Sequence, residues 1–256
     1  MMDFVCVSIR IPKSGSESLG RLLDIAFAGR RIFYLPTSLD RDGQLSRVQR
    51  LRFMRSQIKN LLARYRSPSL SHAYTVINKE ACNGDLITGG HLDFPTVKAA
   101  LLHPVKIITL LRDPFERVIS EYNYSREIYL DRNPLHRVTA AILPAAAGRR
   151  DFDSYLDFID EHGAIYGNPA SRYTGWDGVE DLAAFCTRDV FHIGTLDRRQ
   201  HFADGLAQKM GTTLSFPHEN RTESERALNV TSSRRAKIER IFAHDIAFYE
   251  WVKANS

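Results

Sequence analysis

Phe4-Val5-Cys6-Val7-Ser8-Ile9-Arg10-Ile11-Pro12-Lys13-Ser14-Gly15-Ser16-Glu17-Ser18-Leu19 is the stretch on which the fold turns. Residues 4–9 are apolar and rich in β-branched side chains, the pattern of a short buried strand. From Leu19 onward, Leu22, Leu23, Ala26 and Phe27 return at helical spacing, and Gly29 supplies a stop. Residues 12–18 therefore form a tight loop between a strand and the start of a helix. Such a loop aims several backbone N–H groups and the positive end of a helix dipole at one point. Ser14, Ser16 and Ser18 add hydroxyl donors, Gly15 lets the backbone come close, and Lys13 adds a full charge beside Glu17. The segment from Lys13 to Ser18 is a site for a phosphate- or sulfate-like group. It is not a Walker A loop, because the lysine precedes the glycine and no G-K-[ST] follows.

A second strand–helix junction has the same logic. Lys106-Ile107-Ile108-Thr109-Leu110-Leu111 reads as a buried strand and runs into Arg112-Asp113-Pro114-Phe115-Glu116-Arg117-Val118-Ile119-Ser120-Glu121-Tyr122. Asp113 is a natural N-cap, Pro114 suits the first helical position, and Glu116 completes a capping box. Arg112 then sits at a strand end and Ser120 about two turns into the helix, so both reach one anion. Taken together the two stretches resemble the sulfotransferases that use 3′-phosphoadenosine-5′-phosphosulfate (PAPS). In that family a P-K-x-G-[ST]-x-S loop holds the 5′-phosphosulfate, and an R-D-P-x-x-R-x-x-S-x-Y segment holds the 3′-phosphate.

Composition sets the frame around these motifs. At 256 residues, with ordinary apolar and charged fractions, the chain is one large domain or two small ones. The net charge of +5, from 35 basic and 30 acidic residues, mildly favours anionic partners and is too small to imply nucleic acid. Cys6, Cys82 and Cys186 are far apart and odd in number. They have no metal-ligand spacing and read as buried free thiols in a reducing compartment. No metal is called for. The first strand begins almost at Met1, leaving no room for a signal peptide, and no stretch is long enough for a transmembrane helix. The expectation is a cytoplasmic, bacterial protein.

Residues 31–35 read as a second strand, 74–77 as another and 85–88 as the next. Between residues 41 and 66, eight Arg and Lys side chains interleave with Leu45, Val48, Leu51, Ile58, Leu61, Leu62 and Tyr65 at helical intervals. This is a basic amphipathic helix, either a solvated face or a dock for an anionic substrate or a membrane surface. Gly89-Gly90-His91-Leu92-Asp93 follows a strand end, where open α/β sheets bind ligands. The sequence is similar to the glycan sulfotransferases related to the heparan and uronyl 2-O-sulfotransferases, which carry an H-G-H segment here. That resemblance makes His91 the base and puts Gly89 in place of the first histidine, with Asp93 and Glu80 as alternative bases. The stretch 131–150, rich in Ala, Pro and Arg, reads as an irregular insertion, either a surface loop or a substrate lid.

The segment Asn168-Pro169-Ala170-Ser171-Arg172-Tyr173-Thr174-Gly175-Trp176 resembles one that borders the acceptor site in these enzymes, which implies Asn168, Arg172 and Trp176 as acceptor contacts beside His91 and Asp93. Residues 190–194 read as a strand leading through Asp197 to a helix ending at Met210. His218-Glu219-Asn220-Arg221-Thr222 resembles a loop that closes over PAPS, so Asn220, Arg221 and Thr222 join the cofactor set. One final helix carries Asp245, Phe248 and Tyr249.

Alternating strands and helices imply an α/β fold with a parallel sheet flanked by helices. The resemblance makes it the P-loop-NTPase-like fold of sulfotransferases, a single domain over residues 1–256. The implied reaction transfers a sulfuryl group from PAPS to a hydroxyl of a carbohydrate acceptor, releasing 3′-phosphoadenosine-5′-phosphate (PAP). Lys13 stabilises the leaving phosphate, His91 takes the proton, and Arg112 and Ser120, with Arg221, hold the 3′-phosphate. Two other readings stand beside it. One is a nucleotide-dependent kinase on the same scaffold; the other is a non-catalytic protein that binds an anionic polymer.

Overall fold

The computed structural model describes residues 2–35, 70–131, 137, 140–217 and 231–256. The expected basic helix at 41–66 and the cofactor loop with Asn220, Arg221 and Thr222 lie outside the described residues.

Five strands form one sheet: β1 (Val5–Ile9), β2 (Ile32–Leu35), β3 (Leu86–Gly89), β4 (Val105–Leu111) and β5 (Val190–Thr195). Their order across the sheet is β2-β3-β1-β4-β5, and every pair is parallel. β1 is buried along its whole length, and β4 at every residue but Lys106. A parallel sheet covered on both faces demands such runs, since neither side of the strand meets water. Side chains alternate between two apolar layers. Val5, Val7 and Ile9 face a layer completed by α2 (Leu70–Glu80), α3 (Phe94–Ala100), α8 (Pro169–Thr174), α9 (Leu182–Asp189) and α12 (Ala243–Asn255). Cys6, Ile108 and Leu110 face α1 (Ser16–Ala26) and α10 (Arg199–Met210).

A third apolar cluster lies among α4 (Pro114–Leu130), α5 (Ile142–Arg149), α6 (Phe152–Glu161) and α11 (Ser232–Ile241). Here α11 lays Arg234, Lys237 and Arg240 against Asp153, Asp157 and Asp160 of α6, at 2.5–2.6 Å. A one-turn helix, α7 (Gly163–Tyr166), links α6 to α8.

The expected α/β fold with a flanked parallel sheet is what the chain adopts. Several local expectations are corrected. Residues 74–77 are helical, inside α2. Leu70, Tyr74 and Ile77 recur at helical spacing, and their packing on the core overrides the strand preference of Thr75, Val76 and Ile77. The stretch 131–150 includes the regular helix α5, which buries Ala146 and Ala147 against its neighbours. Its Gly148 lies so near the Tyr129 ring that a Cβ there would overlap it. The C-terminal end holds two helices, α11 and α12, with a break at Phe242. Of the three thiols only Cys6 is buried; Cys82 is exposed and accepts from Arg31 Nη2 at 3.0 Å.

Candidate functional site

The connection leaving β1 runs toward β2, on one side of the sheet, and the one leaving β4 runs toward β5, on the other. The crevice between the carboxyl ends of β1 and β4 is therefore the topological switch point, where open α/β sheets bind ligands. The two anion segments read from the sequence emerge at this place, from strands paired directly through Ile9 and Thr109.

The β1 loop is held in an unusual shape. Lys13 and Gly15 both have positive φ, 64° and 72°. Gly15 is the N-cap of α1 and offers no side-chain cap, so the first amides of the helix face the crevice. A Cβ on Gly15 would come within 2.8 Å of Leu196 Cδ1, which closes the loop's outer side. Ser14 is 2% exposed, and its Oγ has no hydrogen-bond partner among the described residues. A buried hydroxyl without a partner, beside open helix amides, fits a bound oxyanion. Ser16 is half-buried, Ser18 buried and Glu17 exposed on the same first turn. The Lys13 ammonium lies 3.8 Å from the centre of the Tyr124 ring on α4. Burial pushes its pKa down and the Arg112 guanidinium pushes the same way, while Glu121, Glu17 and Glu127 pull it back.

On the β4 side Asp113 caps α4, accepting from Phe115 N at 2.8 Å and Glu116 N at 3.2 Å. The Glu116 carboxylate meets Arg112 Nε at 3.3 Å, where the sequence suggested a reciprocal capping box. Arg112 Nη1 also donates to the Lys13 carbonyl at 3.5 Å, joining the two anion segments. Ser120 is half-buried on α4. Below it Arg117 is 2% exposed, pairs with Glu121 at 2.9 Å and lies 5.0 Å from the Phe242 ring. Arg117, which follows Arg112 in the same motif, ties α4 to the core by its burial.

On the other side of the β1 loop stands His91, exposed after β3. Its Nδ1 is 2.7 Å from the Arg10 carbonyl oxygen. A carbonyl only accepts, so Nδ1 carries the proton and Nε2 is left as the basic nitrogen. The His91 ring lies 6.0 Å from that of Tyr173 on α8, and the half-buried Arg172 lies 5.4 Å from the same Tyr173 ring. Gly89 admits no side chain, since a Cβ would approach the Leu35 carbonyl at 2.7 Å.

The other expected acceptor-side residues have structural partners. Asp93 caps α3 through Thr96 N at 2.9 Å. Glu80 ends α2 at the amino end of β3, the far edge of the sheet from the crevice. Asn168 turns its Oδ1 to His244 N and Asp245 N at the start of α12. Asp245 returns the bond, accepting from Ala170 N, Ser171 N and Ser171 Oγ at the start of α8. Trp176 is 6% exposed and donates its Nε1–H to the Glu180 carbonyl. Among the described residues no group of His, Cys, Asp and Glu is arranged to hold a metal ion, and no helix is long and apolar enough to cross a membrane.

A parallel sheet whose switch point carries two linked loops, with an exposed histidine beside them, is the frame of a protein that binds an anionic ligand. A family model described as the sulfotransferase domain matches residues 5–185, from β1 to α9. The chain belongs to that family and is a PAPS-dependent sulfotransferase. Among solved structures it is similar to mouse sulfotransferase SULT7A1 complexed with PAP, at 12% identity and TM-score 0.46, over 98% of this chain and 87% of that one. It is also similar to a retinol dehydratase in complex with androsterone and inactive cofactor PAP, at 13% identity and TM-score 0.35, over 96% and 81%. No curated protein matches.

Proposed function

We propose that this chain, folded as one domain, moves the sulfuryl group of PAPS to a hydroxyl of a carbohydrate acceptor. The observation that carries the reading is the order of groups along the sheet's carboxyl edge. His91 follows β3, the Lys13 loop follows β1 and Arg112 follows β4, on three neighbouring strands. Neighbouring strands lie about 4.8 Å apart, so base and arginine flank the loop at opposite sides. An in-line transfer needs this sequence: acceptor, moving group, leaving group.

When bound, PAPS supplies the sulfuryl group and departs as PAP. Ser14, Ser16, Ser18 and the α1 amides grip its 5′ end, with Gly15 and Glu17 shaping the turn. Lys13 neutralises the charge that grows on the leaving phosphate oxygen. Arg112 and Ser120, with Asn220, Arg221 and Thr222, take the 3′-phosphate and the nucleotide. His91 accepts the acceptor's proton on Nε2, where Asp93 orders the helix beyond it. Arg172 borders the acceptor, with Asn168 and Trp176 shaping that wall from behind. An anionic sugar chain suits the basic residues between 41 and 66. Three free thiols suit a reducing compartment such as the cytoplasm.

The test is thermal shift followed by product analysis. PAP raises the melting temperature, and adenosine monophosphate, lacking the 3′-phosphate, raises it much less. Arg112→Ala removes the difference. Incubation with PAPS and a glycan panel then yields sulfated product by mass spectrometry. Equal stabilisation by both nucleotides, or by ATP in place of PAP, sinks the assignment and favours a kinase.

A further inference from the structure

We propose that the face of Tyr124 is the seat of the Lys13 ammonium and positions it for the leaving phosphate. This rests on the reading of Lys13 as the leaving-group cation. A lysine stem has four rotatable bonds, so its charge wanders unless something receives it. Here the root of the stem is set. Lys13 has φ 64°, and its carbonyl accepts from Arg112. From that root the side chain reaches across to α4 and ends 3.8 Å from the Tyr124 ring centre.

The ring is equally well placed. Tyr124 follows Ser120 by four residues on α4, so both lie on one face of the helix. The helix itself is anchored at its start by the Asp113 cap and by buried Arg117 paired with Glu121. Glu121, Glu17 and Glu127 also act on its charge, pulling its pKa up against burial and Arg112. A carboxylate in direct contact would have to be displaced before the phosphate could be served. An aromatic face attracts the cation without occupying its N–H donors, which stay free for phosphate oxygens. Tyr124 is thus a positioning residue, acting through Lys13.

The experiment uses the full chain and the slow release of PAP and sulfate from PAPS with water as acceptor. That reaction needs leaving-group stabilisation and no glycan. Tyr124→Ala lowers the rate roughly 5–20-fold, the scale of one cation–π contact. PAP affinity stays within about twofold, and Tyr124→Phe restores most of the rate. Phenylalanines of increasing fluorination at 124 lower it stepwise. Lys13→Ala lowers it by about 10²–10³, and adding Tyr124→Ala to that variant costs nothing more. Independently of turnover, the Lys13 ε-methylene protons show an upfield ring-current shift by NMR in the wild type and Tyr124→Phe, lost in Tyr124→Ala. If Lys13→Ala is impaired and Tyr124→Ala is not, Tyr124 has no positioning role while the assignment of Lys13 survives. If Lys13→Ala keeps normal turnover, the leaving-group reading fails and the proposal falls with it.

Discussion

On the proposed reading Lys13 and His91 serve opposite ends of one transfer, so their variants have separable effects. With Lys13 at the departing group, as proposed, Lys13→Ala is expected to lower turnover by about 10²–10³, the scale of losing one transition-state charge stabiliser. On the same reading His91 meets the incoming hydroxyl through Nε2, the ring nitrogen left unprotonated when Nδ1 donates to the Arg10 carbonyl. His91→Ala is expected to cost about 10²–10⁴ in turnover while leaving PAP binding intact. Steady-state rates and PAP titration of both variants check this. A His91 variant with near-normal turnover would pass the base to Asp93, since Glu80 stands at the far edge of the sheet.

Helices α8 and α12 cap one another, Asn168 serving the start of α12 and Asp245 the start of α8. Burial pushes the Asp245 carboxyl pKa up, against the pull of Arg117 and the bonds from Ser171 and Ala170. Asp245→Ala leaves two buried amides unsatisfied and is expected to cost about 3 kcal/mol. Asn168→Ala, which opens a more accessible cap, costs about 1 kcal/mol. Urea unfolding at neutral pH measures both, and equal small losses would rule out the reciprocal cap. These elements also show what could be read from the chain. The β1 and β4 junctions were legible because their signals are local: an apolar run, a glycine, an Asp-Pro start. Residues 74–77 look like a strand but are helical in α2, because Thr75, Val76 and Ile77 mask a helical repeat whose partners are distant in sequence. In the Asn168–Trp176 segment a family pattern marks the right neighbourhood but cannot say which way a side chain turns. The contact of Lys13 with Tyr124 joins residues far apart in sequence and leaves no mark in either stretch.

For the molecule as a whole, acid is the condition that probes the packing of its sheet edge. His192 on β5 is 8% exposed, stacks 4.4 Å from the Phe202 ring and bonds the Phe202 carbonyl at 2.7 Å. Burial pushes its pKa down to about 4; the Phe202 bond opposes this, while Lys209 and His201 add to it. The unfolded chain therefore binds this proton more readily than the folded one. The neutral imidazole is fully accommodated above about pH 6.5, and stability is lost as pH falls from there through about 4. Between pH 7 and pH 5 the loss is about 2 kcal/mol. His192→Gln should flatten that slope, whatever it does to stability at pH 7. An unchanged slope in urea unfolding would assign the acid sensitivity to other groups.

The left-handed backbone at Lys13 sets survival and usefulness at odds. A side chain at φ 64° is strained by about 1 kcal/mol, and here it also carries a half-buried charge. Glycine would carry neither burden. Lys13→Gly is therefore expected to melt no lower than the wild type while its turnover collapses. Laboratory evolution that rewards heat resistance alone would discard this lysine early, and a lineage that lost its acceptor would do the same. A clearly lower melting temperature for the glycine variant would mean that the ammonium helps hold the fold together.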